Sequence, residues 1–141
     1  MRRTVIAAVL LLIGLAPALG EVRILASPGG DAVAYLKLFA LLNQSGERII
    51  IDGPCLSACT LLLTEIPHGR VCVTSRAILG FHAAELMDGH GRKYPAPNAT
   101  HLVERAYPPA VRSWIERHGG LTPKLILLSG RELAALYPHC S

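Results

Sequence analysis

Charge is scarce in this sequence. Asp, Glu, Lys and Arg make up 17% of its 141 residues, against 51% apolar residues. That balance excludes a disordered or solvating chain, which needs low hydrophobicity and high net charge. The basic excess is small too. The formal net charge is +4, and Arg2 and Arg3 carry two of those charges at the N-terminus. What remains is weak and scattered, so no nucleic-acid partner is expected. Glycine and proline, at 13 and 10 residues, stay near ordinary usage. This excludes a collagen-like chain and a Pro-rich linker. The chain has no internal repeat and no low-complexity tract. Its length fits one domain, alone or behind a targeting segment.

The first 20 residues have the layout of a secretory signal peptide. Arg2 and Arg3 lead into an apolar stretch from Val5 to Leu15, followed by Pro17 and small residues. Spanning a bilayer takes about 20 apolar residues, more than this stretch supplies. Ala18 and Gly20 suit a cleavage site, so cleavage is expected after Gly20. An uncleaved membrane anchor is the alternative. Residues 21–141 are then a single domain in the periplasm or outside the cell.

Four cysteines remain in that domain: Cys55, Cys59, Cys72 and Cys140. An even number in an exported chain predicts disulfides, and three pairings are open. Zinc is disfavoured, because no second close pair and no His partner stands at ligand spacing from Cys55 and Cys59. The other histidines (His68, His90, His101, His118, His139) share no ligand spacing either, so no metal and no cofactor is expected.

The pattern along the chain is that of an α/β domain. Val22 to Ala26 reads as a strand, broken by Ser27-Pro28-Gly29-Gly30. Asp31 then caps a helix that ends at Gly46. Arg48 to Asp52 is apolar without alternation, as in a strand buried on both faces, and Gly53-Pro54 ends it. Ser57 to Glu65 reads as a buried helix. Val71–Val73 and Ala77–His82 are further strands. Met87 to Asn98 reads as a loop. Helices are expected over 100–106, 110–118, 123–128 and 131–136, the third because Thr122-Pro123 looks like a helix start. Strands alternating with helices predict a mostly parallel sheet, with ligands beyond the carboxyl ends of its strands.

Three segments fall at such ends. Gly29 and Gly30 lack side chains, so their backbone N–H groups can approach a ligand. Ser57 opens a buried helix, where free N–H groups and the helix dipole gather. His82 ends a strand. Serine, histidine and backbone N–H groups are the parts of acyl transfer. Each also has a plain structural reading: a turn, an N-cap, a strand-end histidine. Trp114, with Val111 and Ile115 at helical spacing, reads as core.

The run Ile24-Leu25-Ala26-Ser27-Pro28-Gly29-Gly30-Asp31 resembles the Ser-Pro-Gly-Gly segment of the Clp protease proteolytic subunit. Ser57-Ala58 resembles that family's nucleophile turn. Arg70 to His82 resembles its strand pair leading to the catalytic histidine, and the interval from Ser57 to His82 matches. The likeness covers Val22 to about Ala84. The Cys55-Leu56-Ser57-Ala58-Cys59 turn resembles the small exported branch of the family. The resemblance implies a Clp/crotonase-like superhelix of ββα units, shortened at its N-terminus and closed by C-terminal helices. It implies Ser57 as nucleophile, His82 as general base, and an oxyanion hole from the N–H groups of Gly29 or Gly30 and Ala58. The function implied is an exported serine hydrolase acting on peptides or small acyl compounds. A non-catalytic crotonase-like scaffold is the alternative, with Ser57 as N-cap. An acyl-CoA enzyme is disfavoured by export.

The family's third member is an aspartate in the C-terminal region. Alignment puts Ser129 at that position, with Glu132 the nearest carboxylate downstream. No aspartate follows Asp88. The chain carries no ATP-binding or unfoldase-like segment, so no ATPase partner is expected; a homo-oligomer, another partner or an earlier start would each supply what the shortened fold lacks.

Overall fold

A computed structural model describes residues 20–141; the expected signal peptide, apart from Gly20, lies outside the described residues. The chain builds two three-stranded sheets in step. A strand in the first sheet is followed by one in the second, and a helix returns the chain. Strand β1 (Glu21–Ile24) is followed by an isolated bridge at Ser27 and by helix α1 (Ala32–Ser45). Strands β2 (Arg48–Ile51) and β3 (Pro54–Leu56) are followed by a 3₁₀ turn (Ser57–Leu61) running into α2 (Leu62–Glu65). Strands β4 (Val71–Val73) and β5 (Ile78–Phe81) repeat the step. The first sheet, β1-β2-β4, is parallel throughout. In the second, β3 is parallel to β5, and Ser27 bridges Cys55 in parallel.

Gly53 makes the corner between β2 and β3. A Cβ there would lie 1.8 Å from the Leu25 carbonyl oxygen, so the chain crosses only where the side chain is missing. The helix expected from the cap at Asp31 is present, with Asp31 Oδ1 accepting from the Ala34 N–H at 2.9 Å. It stops at Gly46, which takes a left-handed φ of 83°. The core lies between the sheets and the helices, around Ile49, Ile51, Leu62, Leu79, Phe81 and Ile115. Trp114 belongs to it as expected, 2% exposed.

Three expectations are corrected. Residues 123–128 do not form a helix. Ile126–Ser129 is a strand, β8, antiparallel to β5 with Phe81 opposite Ile126 and Ile78 opposite Ser129. The stretch Met87 to Asn98 is not an irregular loop. It belongs to a hairpin of β6 (Glu85–Met87) and β7 (Lys93–Pro95). The Asp88 carboxylate organises its turn by accepting from the His90 and Arg92 N–H groups, both at 2.9 Å. Third, Pro54–Leu56 is a strand rather than the end of one. The remaining helices are α3 (Pro97–Ala106), α4 (Pro109–Arg117) and α5 (Gly130–Leu136).

Asp52, at the end of β2, is a carboxylate with a side chain only 4% exposed. Arg76 binds it through Nε (3.1 Å) and Nη2, Thr74 Oγ1 donates at 2.7 Å, and Arg23 Nη1 at 2.9 Å. The clip ties β1, β2 and the β4–β5 turn together. Led by Arg76, these donors hold the carboxyl well below the usual carboxylate range. Folded Asp52 therefore stays ionised at pH values where the unfolded group takes a proton. Its stabilisation is complete above the unfolded pKa near 3.9 and is lost as pH falls below it. The urea midpoint of the native chain should drop between pH 6 and pH 3. Asp52→Asn should start lower at pH 6 and lose less over the same interval.

Candidate active site

Ser57 is the single non-glycine residue with positive φ among the described residues, at 55°. A left-handed serine costs about 1–3 kcal/mol and persists only where its surroundings over-determine it. Four features do so here. Cys55 and Cys59 are joined by a disulfide that closes a short loop around Ser57. Both cysteines are buried, at 0% and 1% exposure. Thr60 Oγ1 donates to the Ser57 carbonyl at 2.7 Å. The Tyr107 hydroxyl, 2.6 Å from Thr60 Oγ1, supplies the donor that Thr60 then needs as acceptor. Burial pushes the Tyr107 pKa up to about 12, so it keeps that proton.

The serine side chain does not cap the turn it opens. Its Oγ lies 2.7 Å from His82 Nε2 instead. The plain N-cap reading of Ser57 therefore fails on geometry. His82 follows β5, and the chain beyond it is pinned. The Ala83 N–H donates to the Thr122 carbonyl (2.8 Å), and the Ala84 N–H to Thr100 Oγ1 (3.0 Å). The histidine is thus held from both sides, by the sheet and by the start of α3.

Gly29 packs directly on the serine. A Cβ on it would stand 2.6 Å from Ser57 Cβ, 2.7 Å from the Leu56 oxygen and 3.1 Å from the Ala58 nitrogen. Its φ of 87° is also a glycine conformation. Gly30 follows beside Tyr35, whose ring would be 3.7 Å from a Cβ there. Ala58 is the second residue of the 3₁₀ turn, where a helix N–H has no partner within its own helix. So Gly29, Ser57, Ala58 and His82 are neighbours, and Gly30 follows Gly29 in the chain beside Tyr35. Gly29→Ala should cut any reaction at Ser57 by about 10²-fold, because the serine must shift to admit the methyl group. Labelling kinetics on folded protein would measure it.

The two residues proposed for the third position lie elsewhere. Ser129 sits opposite Ile78, at the end of β5 remote from His82. Glu132 is on α5, and its Oε1 is 3.8 Å from His118 Nε2. Asp88 is occupied within its own turn, with Arg92 Nε at 3.0 Å. Among the described residues no carboxylate forms an ion pair with His82.

Two parts of the support went unread in the sequence. Thr60 and Tyr107 are 47 positions apart, and nothing local signals their contact. Asp52 stood only as the last residue of a strand; a carboxylate closing a run of isoleucines was the available sign of a buried ion pair. The cysteines pair as Cys55–Cys59 and Cys72–Cys140, one of the three open pairings. Two disulfides belong to a chain that matures in an oxidising compartment. Among the described residues no helix is long and apolar enough to cross a membrane. No protein-family model and no curated protein sequence matches the chain.

Proposed function

We propose that this chain is an exported serine hydrolase of the Clp/crotonase-like type, acting on peptides or small acyl compounds in the periplasm or outside the cell. The observation that carries the proposal is the 2.7 Å contact from His82 Nε2 to Ser57 Oγ, made by a serine in left-handed conformation. Strands β2 and β3 pass from one sheet to the other and are followed by a helix, and β4 and β5 repeat the strand step, which supports a ββα superhelix.

The chemistry follows from the arrangement. Ser57 Oγ attacks the carbonyl carbon as its proton passes to His82 Nε2. The carbonyl oxygen becomes an oxyanion beside the N–H groups of Gly29 or Gly30 and Ala58. Collapse expels the leaving amine or alcohol, which takes the proton from His82. Water then attacks the acyl-enzyme and gives its proton to the same nitrogen, and collapse returns that proton to Ser57 Oγ as the acid leaves.

A second reading rests on one observation, the lack of a carboxylate partner for His82 among the described residues. Without it the imidazole loses tautomer control and stabilisation of its charged form. In that reading the fold is a binding scaffold. A broad fluorophosphonate probe on the folded, oxidised protein separates the two. Labelling of the native chain that vanishes in Ser57→Ala is expected. A folded native chain that takes no label would defeat the hydrolase reading.

A further inference from the structure

Among the described residues, the first sheet has one sealed edge and one open edge. Beside β4, the Pro138 carbonyl accepts from the Val73 N–H and the Cys140 N–H donates to the Val73 carbonyl, both at 3.0 Å. Strand β1 pairs with β2 alone among the described residues. The carbonyls of Gly20 and Ile24 accept from Arg48 and Asp52 across that pair. Backbone alternation therefore turns the N–H and C=O groups of Glu21 and Arg23 outward. Next to them runs a groove of about 410 Å³ between β1 and α1, lined by Val22, Ile24, Leu25, Tyr35, Leu38 and Leu42 among others. Leu25 and Leu38 are 63% and 48% exposed. An open strand edge beside apolar surface is a template for another strand.

The sequence of β1 identifies that strand. Turned antiparallel on itself about Val22, Glu21-Val22-Arg23 is self-complementary. Glu21 then faces Arg23 of the second copy, and Arg23 faces its Glu21. These are the residues whose backbone groups point outward, so each facing pair exchanges two backbone hydrogen bonds. Opposite charges directly across a sheet stabilise the pairing. Shifting the two-fold axis by one residue sets Glu21 against Glu21 or Arg23 against Arg23, which selects against both slipped registers. Each side chain has a partner within its own chain but keeps an exposed side: Arg23 is 50% exposed while it holds Asp52, and Glu21 is 53% exposed with Arg48 3.8 Å away.

We infer that β1 is a homodimer interface, in which two copies join edge to edge about a two-fold axis at Val22. The two first sheets become one six-stranded sheet, and the grooves under α1 are brought to the junction. This inference is independent of the chemistry at Ser57.

The test uses the oxidised, exported protein. Sedimentation velocity should give twice the chain mass. Glu21→Lys sets a cation against Arg23 of the second copy while leaving the β1–β2 ladder intact. It should weaken dimerisation by about tenfold or more, since the mismatch occurs twice per dimer. Val22→Cys puts a thiol on the axis, where facing residues stand about 4.5 Å apart at Cα. It should form a covalent dimer on oxidation, and Glu21→Cys, which faces position 23, should not. A dimer indifferent to Glu21→Lys, with no bridge from Val22→Cys, would overturn the inference. So would a monomer at the highest soluble concentration. Mass spectrometry of that monomer would tell an edge covered by a retained leader, residues 1–20, from one left for a foreign strand.

Discussion

Replacing His82 with alanine is expected to slow fluorophosphonate labelling of Ser57 by about 10²–10⁴-fold, the usual worth of a positioned general base. The unfolding midpoint should move little. The imidazole is part-buried, and its recorded hydrogen bond is the one to Ser57 Oγ. The serine keeps its left-handed backbone in this variant, because that geometry depends on the Cys55–Cys59 bridge, Thr60 and Gly29 rather than on the histidine. A large rate effect with little stability effect is the signature of a base. Equal labelling of the native chain and the variant would mean that His82 only packs against the serine. The native rate should itself be modest. In enzymes with a full triad, disabling the acid costs about 10⁴-fold, and no carboxylate pairs with His82 among the described residues.

The second large effect concerns stability. Replacing Cys72 and Cys140 together by alanine should cost about 4 kcal/mol, by the loop entropy that a bridge of this span removes from the unfolded chain. The bridge joins residues 68 positions apart. The same model gives about 2 kcal/mol for Cys55–Cys59, separated by 4 positions. Urea unfolding of the two double variants checks the order. Labelling should rank them the other way. The short bridge encloses Ser57, whereas the long one fastens the C-terminal tail to β4.

The parts of the fold and site that were legible in the sequence are the local ones. Asp31 and Gly46 bracket α1 because capping is decided within a few residues. The isoleucine run of β2 announces a strand covered on both faces. Ser57, His82 and the two glycines stood out because strand ends carry ligands in α/β folds. The misread segments depend on distant partners. Ile126–Ser129 is apolar and short, and its own residues do not choose between helix and strand. Pairing with β5 decides it. Pro54 looked like a strand stop, yet Gly53-Pro54 is where the chain passes from one sheet to the other. The Asp52 clip draws on residues 22 to 29 positions away, so its partners, unlike the carboxylate itself, lie beyond the reach of a local pattern.

The disulfide pairing bears on how the protein matures. Cys55 joins Cys59 and Cys72 joins Cys140, so the bridges neither cross nor nest. A chain threaded through a membrane N-terminus first presents its cysteines in that same order. The first two meet before the third emerges, and the last two are then the pair that remains. An oxidase joining thiols as they appear would reach the native pattern directly, with no reshuffling by an isomerase. The serine turn would be locked early, while the strand that carries His82 is still arriving.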